Sequence, residues 1–190
     1  MTTYGFWLPN DPRGSWSDFV RAWELRRFGH ATRTRERRSL AYDPHDRELR
    51  LHAKEHLART PVEFSGVQAR AVGRGFASYI AKSQCVVVAC AILPFHVHMV
   101  IARHRYSIEK VATLLKGAAT RRLSDEGLNP FTDQPYKDGS IPTPWTRKSW
   151  SCFLDSQEDI HRAVQYVREN PTKEGKPEQK WSFVSETFSF

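Results

Sequence analysis

The stretch that decides the fold is CVVVACAILPFHVHMVI, which covers residues 85–101. Its first nine residues, Cys85 to Leu93, form a continuous apolar run rich in β-branched side chains, as is typical of a buried strand. Pro94 and Phe95 interrupt this run. Residues 96–102 then alternate polar and apolar side chains, which predicts a second strand. Because the connection is too short for a crossover, we expect the two strands to be antiparallel.

On both sides of this strand pair the apolar residues recur at helical spacing. Helices are predicted over residues 46–58 and 67–82, after the N-cap Ser107, and after the N-cap Ser156. The last helix is expected to end at Asn170, because a residue that precedes a proline is disfavoured in a helix.

Two further strands are expected, at Tyr4 to Trp7 and at Ser149 to Leu154, and residues 127–146 read as a long loop. The resulting order, β, α, β, β, α, β, α, predicts an α+β fold in which helices pack on an antiparallel sheet.

Length and composition set the class of protein. The 190 residues fit a single domain, residues 1–190, with 39% hydrophobic and 26% charged residues. No apolar run approaches the roughly 20 residues that a membrane helix needs, so no membrane partner is expected. No signal peptide is visible, and three cysteines without metal-type spacing favour a reducing compartment, so we expect a cytoplasmic protein.

The charge is strongly basic and unevenly distributed. Lys and Arg total 29 and Asp and Glu total 21, which gives a net charge of +8. Basic residues are concentrated in an insertion at about residues 18–50, and the C-terminal tail at about 175–190 is rich in aromatic residues. Guanidinium groups match phosphate oxygens in pairs, which favours a nucleic-acid partner; a merely solvating surface is the alternative. The arginines predicted to bind DNA are Arg33, Arg35, Arg37, Arg38, Arg121 and Arg122.

His96 and His98 are the first candidate for chemistry. On a strand, residues two apart point to the same face, so both imidazoles would project from one side while Phe95, Val97 and Met99 face the core. Two imidazoles on one strand supply half of a divalent-metal site. The alternative is a pair of partly exposed histidines that bind backbone or carboxylate groups.

Tyr166 and Asn170 are the second candidate. Residues four apart share a helix face, so the phenol and the carboxamide would point in one direction. The amide oxygen is a hard ligand suited to Mg²⁺ or Mn²⁺. The alternative is an ordinary packed tyrosine whose hydroxyl meets water. Among the other five tyrosines, Tyr106 is the main competitor because it follows His98 closely.

Together these motifs resemble a known family. ILPFHVHMV, residues 92–100, resembles the histidine–hydrophobic–histidine motif of HUH single-strand DNA endonucleases. YVRENP, residues 166–171, with Gly175, is similar to the signature of the REP-associated tyrosine transposases, which belong to the insertion-sequence-200-like single-tyrosine HUH transposases.

Two further matches extend the resemblance over roughly residues 3–175. Lys116 matches a lysine typical of these proteins, and the resemblance adds it to the residues predicted to bind DNA. WLPNDPRG, residues 7–14, looks like a loop found in some of them. The resemblance implies a ferredoxin-like HUH nuclease core. The segment Arg26 to Arg50 is longer and more basic than the minimal family core.

The implied activity is cleavage and rejoining of single-stranded DNA at hairpin sites formed by palindromic repeats. His96, His98 and Asn170 would hold Mg²⁺ or Mn²⁺, and Tyr166 would form a 5′-phosphotyrosine. Relatives include monomers and homodimers, so the oligomeric state stays open. The alternatives are a replication initiator or relaxase of the HUH type and a domesticated, non-catalytic nucleic-acid-binding protein.

Overall fold

The computed structural model describes residues 1–9, 20, 23–29 and 46–185. Within this part the chain forms an α+β fold, as predicted. In chain order its elements are a short 3₁₀ helix (Trp23–Phe28), α1 (Arg47–Glu55), α2 (Gly66–Ser83), β1 (Val87–Ile92), β2 (Val97–Ile101), α3 (Ile108–Asp125) and α4 (Gln157–Lys173).

The strand pair β1 and β2 is antiparallel, which confirms the expectation from the short connection. Ala91 pairs with His98, and Ile92 pairs with Val97. Val97 is buried, as the alternation predicts, whereas Phe95 is exposed. The expected inward position of Phe95 is wrong because Phe95 precedes β2 and lies in the connection, where strand alternation does not apply.

Beyond β2 the sheet continues as single-residue bridges. Thr2 pairs antiparallel with His96, and Thr3 pairs antiparallel with Trp145. The predicted strand at residues 4–7 is therefore wrong in position, because Thr3 is the last bridged residue and the chain turns after Tyr4, whose N–H still donates to the Pro144 carbonyl (2.8 Å). Gly5 has φ +80°, and the Phe6 N–H donates to the carbonyl of Thr3 (3.3 Å).

On the other side of β1 the C-terminal tail covers the strand edge. The Ile92 N–H donates to Gln179 Oε1 (2.8 Å), and Gln179 Nε2 donates to the Ile92 carbonyl (2.8 Å). This amide side chain thus satisfies the backbone groups as a neighbouring strand would. Trp181 and Phe183 of this tail contact the main core.

Helices cover both faces of the sheet. On one face α2 and α3 form the main core with the inward side chains of the strands, including Val87, Ile92 and Val97. On the opposite face α4 packs through Val167. Helices α2 and α3 approach closely at Gly75, where an added Cβ would lie 2.7 Å from the Cα of Ala119.

The helix starts agree with the sequence. The Ser107 side chain accepts from the Lys110 N–H, and the Ser156 side chain accepts from the Asp159 N–H, so both serines are N-caps as predicted. The predicted end of α4 at Asn170 is wrong, because the helix continues through Pro171 to Lys173. Proline removes one backbone donor, but the last turn still closes through the Glu174 N–H, which donates to the Asn170 carbonyl (3.1 Å).

The predicted strand at residues 149–154 is also wrong. These residues carry no strand, and Trp150 and Phe153 are exposed, so no buried face drives strand pairing there. Residues 127–146 form the long loop expected, apart from the bridge at Trp145. Among the described residues, no helix has both the length and the apolar character needed to cross a bilayer.

Candidate active site

One face of α4 presents three polar side chains at intervals of four residues: Tyr166, Asn170 and Glu174, the last being the C-cap residue. The helix is held with this face toward the sheet by Val167, which is buried against Val88, Ala89, Ala91 and Val100. The burial of Val167 against the sheet therefore fixes where these three polar side chains lie.

His98 on β2, and His96, which directly precedes β2 and pairs with Thr2, lie on the face that α4 covers. Their ring centroids are 4.7 Å apart, so the shared face predicted from the spacing is observed. The His98 ring meets the Tyr166 ring at 84° with centroids 5.4 Å apart. The structure thus brings together residues from the two separate motifs, the histidine pair and the tyrosine helix.

His98 is held in its neutral form. Burial, and secondarily the charge of His96, lower the pKa of His98 to about 3. At neutral pH its imidazole therefore has a lone pair available on one ring nitrogen, as a metal ligand or a hydrogen-bond acceptor requires.

Asn170 has only 5% of its surface exposed, yet its Nδ2 has no hydrogen-bond partner among the residues that the structure describes. A buried amide with an unsatisfied end is uncommon in a folded protein. Because Nδ2 is a hydrogen-bond donor, the partner it lacks is an acceptor oxygen, and only the carboxamide oxygen of Asn170 is a metal-binding group. The carboxamide oxygen and a neutral imidazole are donors that a small divalent cation accepts. The residues present therefore fit such a cation.

The described part of the chain holds no cluster of three or more His, Cys, Asp and Glu side chains arranged for a metal. The polar groups on this side of the sheet are the imidazoles of His96 and His98 and, one helical turn from Tyr166, the amide of Asn170. That these three side chains hold a metal stays a prediction. Glu174, whose carboxylate lies beside His96, was not predicted from the sequence.

Glu174 Oε1 lies 3.5 Å from His96 Nε2, and partial burial raises the pKa of the carboxyl. Glu174 was missed because the helix was expected to end before Pro171. Once α4 continues past that proline, the four-residue spacing Tyr166, Asn170, Glu174 identifies the carboxylate as a third member of the face.

Tyr166 is the tyrosine at the site. It is 50% exposed, so a substrate can reach its hydroxyl, and Lys173 Nζ lies 5.9 Å from its ring centroid. The competing Tyr106 is also exposed, but its ring contacts are with His104 and Arg105. The geometry therefore favours Tyr166 over Tyr106 as the partner of the histidine pair.

The predicted DNA-binding residues fall into two groups. Arg33, Arg35, Arg37 and Arg38 lie outside the described residues. On α3, Arg121 is exposed, and Arg122 Nε lies 3.8 Å from the Glu126 carboxylate.

Lys116 is buried with 8% exposure, and its Nζ donates to the carbonyls of Thr146 (2.9 Å) and Lys148 (3.1 Å). In this position it holds the backbone at residues 146–148, whereas a DNA contact by Lys116 stays a prediction.

Comparison of the chain with protein-family models, with curated proteins and with solved structures finds no match. The function is therefore inferred from the site and from the sequence motifs that form it.

Proposed function

We propose that this protein is a metal-dependent single-stranded DNA endonuclease and transposase of the tyrosine HUH type. The observation that carries the proposal is the contact between His98 on β2 and Tyr166 on α4, with Asn170 one turn further along the helix. A nucleophile and metal-binding donors that meet on two rigid elements are what strand transfer through a tyrosine requires.

The topology supports a ferredoxin-like core. Along the chain, the paired segments are residues 2–3, β1, β2 and residue 145. Across the sheet, residue 145 lies at one edge and is followed by residues 2–3, then β2, then β1. All of these pairings are antiparallel, and both crossover helices, α2 and α3, pack on one face. The ferredoxin-like fold has this same arrangement, which leaves the opposite face for α4 and the site.

His96, His98 and Asn170 would hold Mg²⁺ or Mn²⁺. A cation bound there polarises the scissile phosphate and offsets the charge that develops on its oxygens. The neutral state of His98 suits this role, because a protonated imidazole cannot act as a ligand.

Tyr166 supplies the nucleophile. Its oxygen attacks the phosphorus, a P–O bond to tyrosine forms, and the bond to the 3′ oxygen breaks. The phenolic proton of Tyr166 passes to solvent, and the departing 3′ oxygen takes up a proton from solvent and becomes a hydroxyl. A phenol is a poor nucleophile until it loses its proton, so a bound cation or a general base would have to activate Tyr166. Since phenolate is a good leaving group, a 3′-hydroxyl can reverse the step.

The proposal is tested with the full chain and a library of hairpin oligonucleotides whose single-stranded flanks are randomised. In Mn²⁺ we expect a covalent protein–DNA adduct on a denaturing gel, and in EDTA no adduct. Mass spectrometry of the tryptic peptides should place the nucleotide on Tyr166. Binding of the library without an adduct would instead favour a non-catalytic nucleic-acid-binding protein.

A further inference from the structure

A segment of irregular backbone, residues 146–154 (TRKSWSCFL), leads from the sheet to α4. It contains no strand or helix, and its side chains have no role in the site described above. Both of its ends are fixed at the candidate active site.

The first end is tied to the sheet edge beside His96. The Thr146 N–H donates to the Thr2 carbonyl (3.0 Å), and Thr2 forms the bridge with His96. The buried ammonium of Lys116 holds the carbonyls of Thr146 and Lys148 from below. A charged group that donates two hydrogen bonds to successive parts of one segment restricts its backbone strongly.

The second end is tied to α4 beside the tyrosine. Leu154 packs into the apolar cluster that includes Val167, the residue that follows Tyr166 in the chain. The segment therefore starts beside Thr2, which pairs with His96, and it ends beside α4, the helix that carries Tyr166.

Between these ends the segment exposes large aromatic rings. Trp150 is 48% exposed and Phe153 is 73% exposed, which is unusual for rings of this size. Arg147 and Lys148 are exposed in the same segment, and residues 146–154 contain no acidic side chain. Exposed rings together with cations are the combination that binds single-stranded nucleic acid, since bases stack on the rings and phosphates meet the cations.

We propose that residues 146–154 form a subsite for the unpaired bases of single-stranded DNA that flank the scissile phosphate. Trp150 and Phe153 stack on these bases, while Arg147 and Lys148 contact the backbone phosphates. The subsite rests on the proposed function, because it places its DNA at the candidate active site. It is selective for unpaired bases, since the bases of a duplex already stack on one another.

The test measures binding without catalysis. Anisotropy of a labelled oligothymidylate of about 12 nucleotides is recorded in EDTA between about 50 and 200 mM salt. We expect Trp150→Ala and Phe153→Ala each to weaken binding by about 5- to 150-fold with an unchanged salt slope. The salt slope is that of the logarithm of the association constant against the logarithm of the salt concentration. Arg147→Gln and Lys148→Gln should each make this slope less steep by about 0.7.

The matched control is Tyr136→Ala, which removes a ring with 50% exposure from the loop outside this segment. It should leave the affinity within about twofold of the wild type. Circular dichroism checks that every variant folds. The subsite is overturned when both aromatic variants bind as tightly as the wild type, or when they weaken binding of a blunt duplex equally.

The adduct assay separates this result from the proposed function. An adduct formed by the wild type, with unchanged single-strand affinity in the aromatic variants, overturns the subsite alone. Weakened single-strand binding in those variants, with no adduct from any library member, supports single-strand binding by residues 146–154 and overturns the nuclease, and with it the position of the bases beside a scissile phosphate.

Discussion

The rings of His98 and Tyr166 meet at 84° with their centroids 5.4 Å apart, although the two residues belong to different elements of the fold. His98 is fixed by the register of β2, in which it lies opposite Ala91, and Tyr166 is fixed by its neighbour Val167. A strand and a helix that are each held by apolar packing thus set the geometry of two polar groups. Four predictions follow from this arrangement and from the packing that maintains it.

Tyr166→Phe is expected to fold, to bind single-stranded DNA and to form no covalent adduct. The substitution removes one hydroxyl from a half-exposed ring and leaves no cavity, so loss of the adduct would report the chemistry. Adduct formation on a denaturing gel measures the effect. The control, Tyr106→Phe, should form the adduct at the wild-type level, and an adduct that persists in Tyr166→Phe would exclude Tyr166 as the nucleophile.

Asn170→Ala should abolish binding of Mn²⁺, whereas Asn170→Asp should retain it, because a carboxylate keeps an oxygen donor in the same place. Titration calorimetry with Mn²⁺ alone measures this without any catalytic readout. His96→Ala should behave as Asn170→Ala does, and its affinity for DNA in EDTA should be unchanged, since phosphate contacts dominate binding. Equal Mn²⁺ affinity in Asn170→Ala and the wild type would contradict the ligand assignment.

Gly75→Ala should lower the free energy of unfolding by about 1–3 kcal/mol, because its Cβ would meet the backbone of Ala119 and separate α2 from α3. The matched variant is Gly117→Ala on α3, where a Cβ would meet only the flexible end of Arg121 at 3.6 Å. That change should stabilise the protein by about 0.5–1 kcal/mol through backbone entropy. Urea denaturation measures both, and shifts in the same direction would contradict the close helix contact.

The buried Lys116 predicts a pH dependence of stability. Burial lowers the pKa of its ammonium to about 8, against an ordinary value of about 10.5 in the unfolded chain. Between these values the unfolded state binds more protons, so this group makes the folded state more stable as the pH rises from about 8 to 10. Below pH 8 its desolvation cost is present in full.

The comparison with Lys116→Met isolates this contribution from other titrating groups. Urea denaturation at pH 8 and pH 10 should show a gain in free energy of unfolding for the wild type that exceeds the gain for Lys116→Met by about 2 kcal/mol. A neutral amine still has two N–H groups for the carbonyls of Thr146 and Lys148. Equal gains in the two proteins would show that Lys116 is solvated in solution.

Local patterns predicted much of this fold. The apolar run that predicts β1, the alternation that predicts β2, and the N-cap serines Ser107 and Ser156 depend on neighbours within a few residues, and both strands and both caps are observed. The shared face of His96 and His98, and the one-turn spacing of Tyr166 and Asn170, also follow from the periods of strand and helix. The contact between the two motifs did not follow from either period.

The outer segments of the sheet were mislocated, because single bridges at Thr2, Thr3 and Trp145 require partners distant in the chain and leave no run of alternating residues. The end of α4 was mislocated because the helix includes Pro171, which is buried, and closes its last turn through the Glu174 N–H in spite of the missing proline donor. The position of Glu174 beside His96 depends on that extra turn.

The sequence by itself determined which residues share a face, since strand and helix periods are properties of the local backbone. Only the tertiary structure decided that the face of β2 with His96 and His98 lies against the face of α4 with Tyr166 and Asn170. That choice depends on the burial of Val167 on one side of the sheet and of α2 and α3 on the other. Such burial is a property of distant apolar surfaces in contact, which no short window of sequence contains.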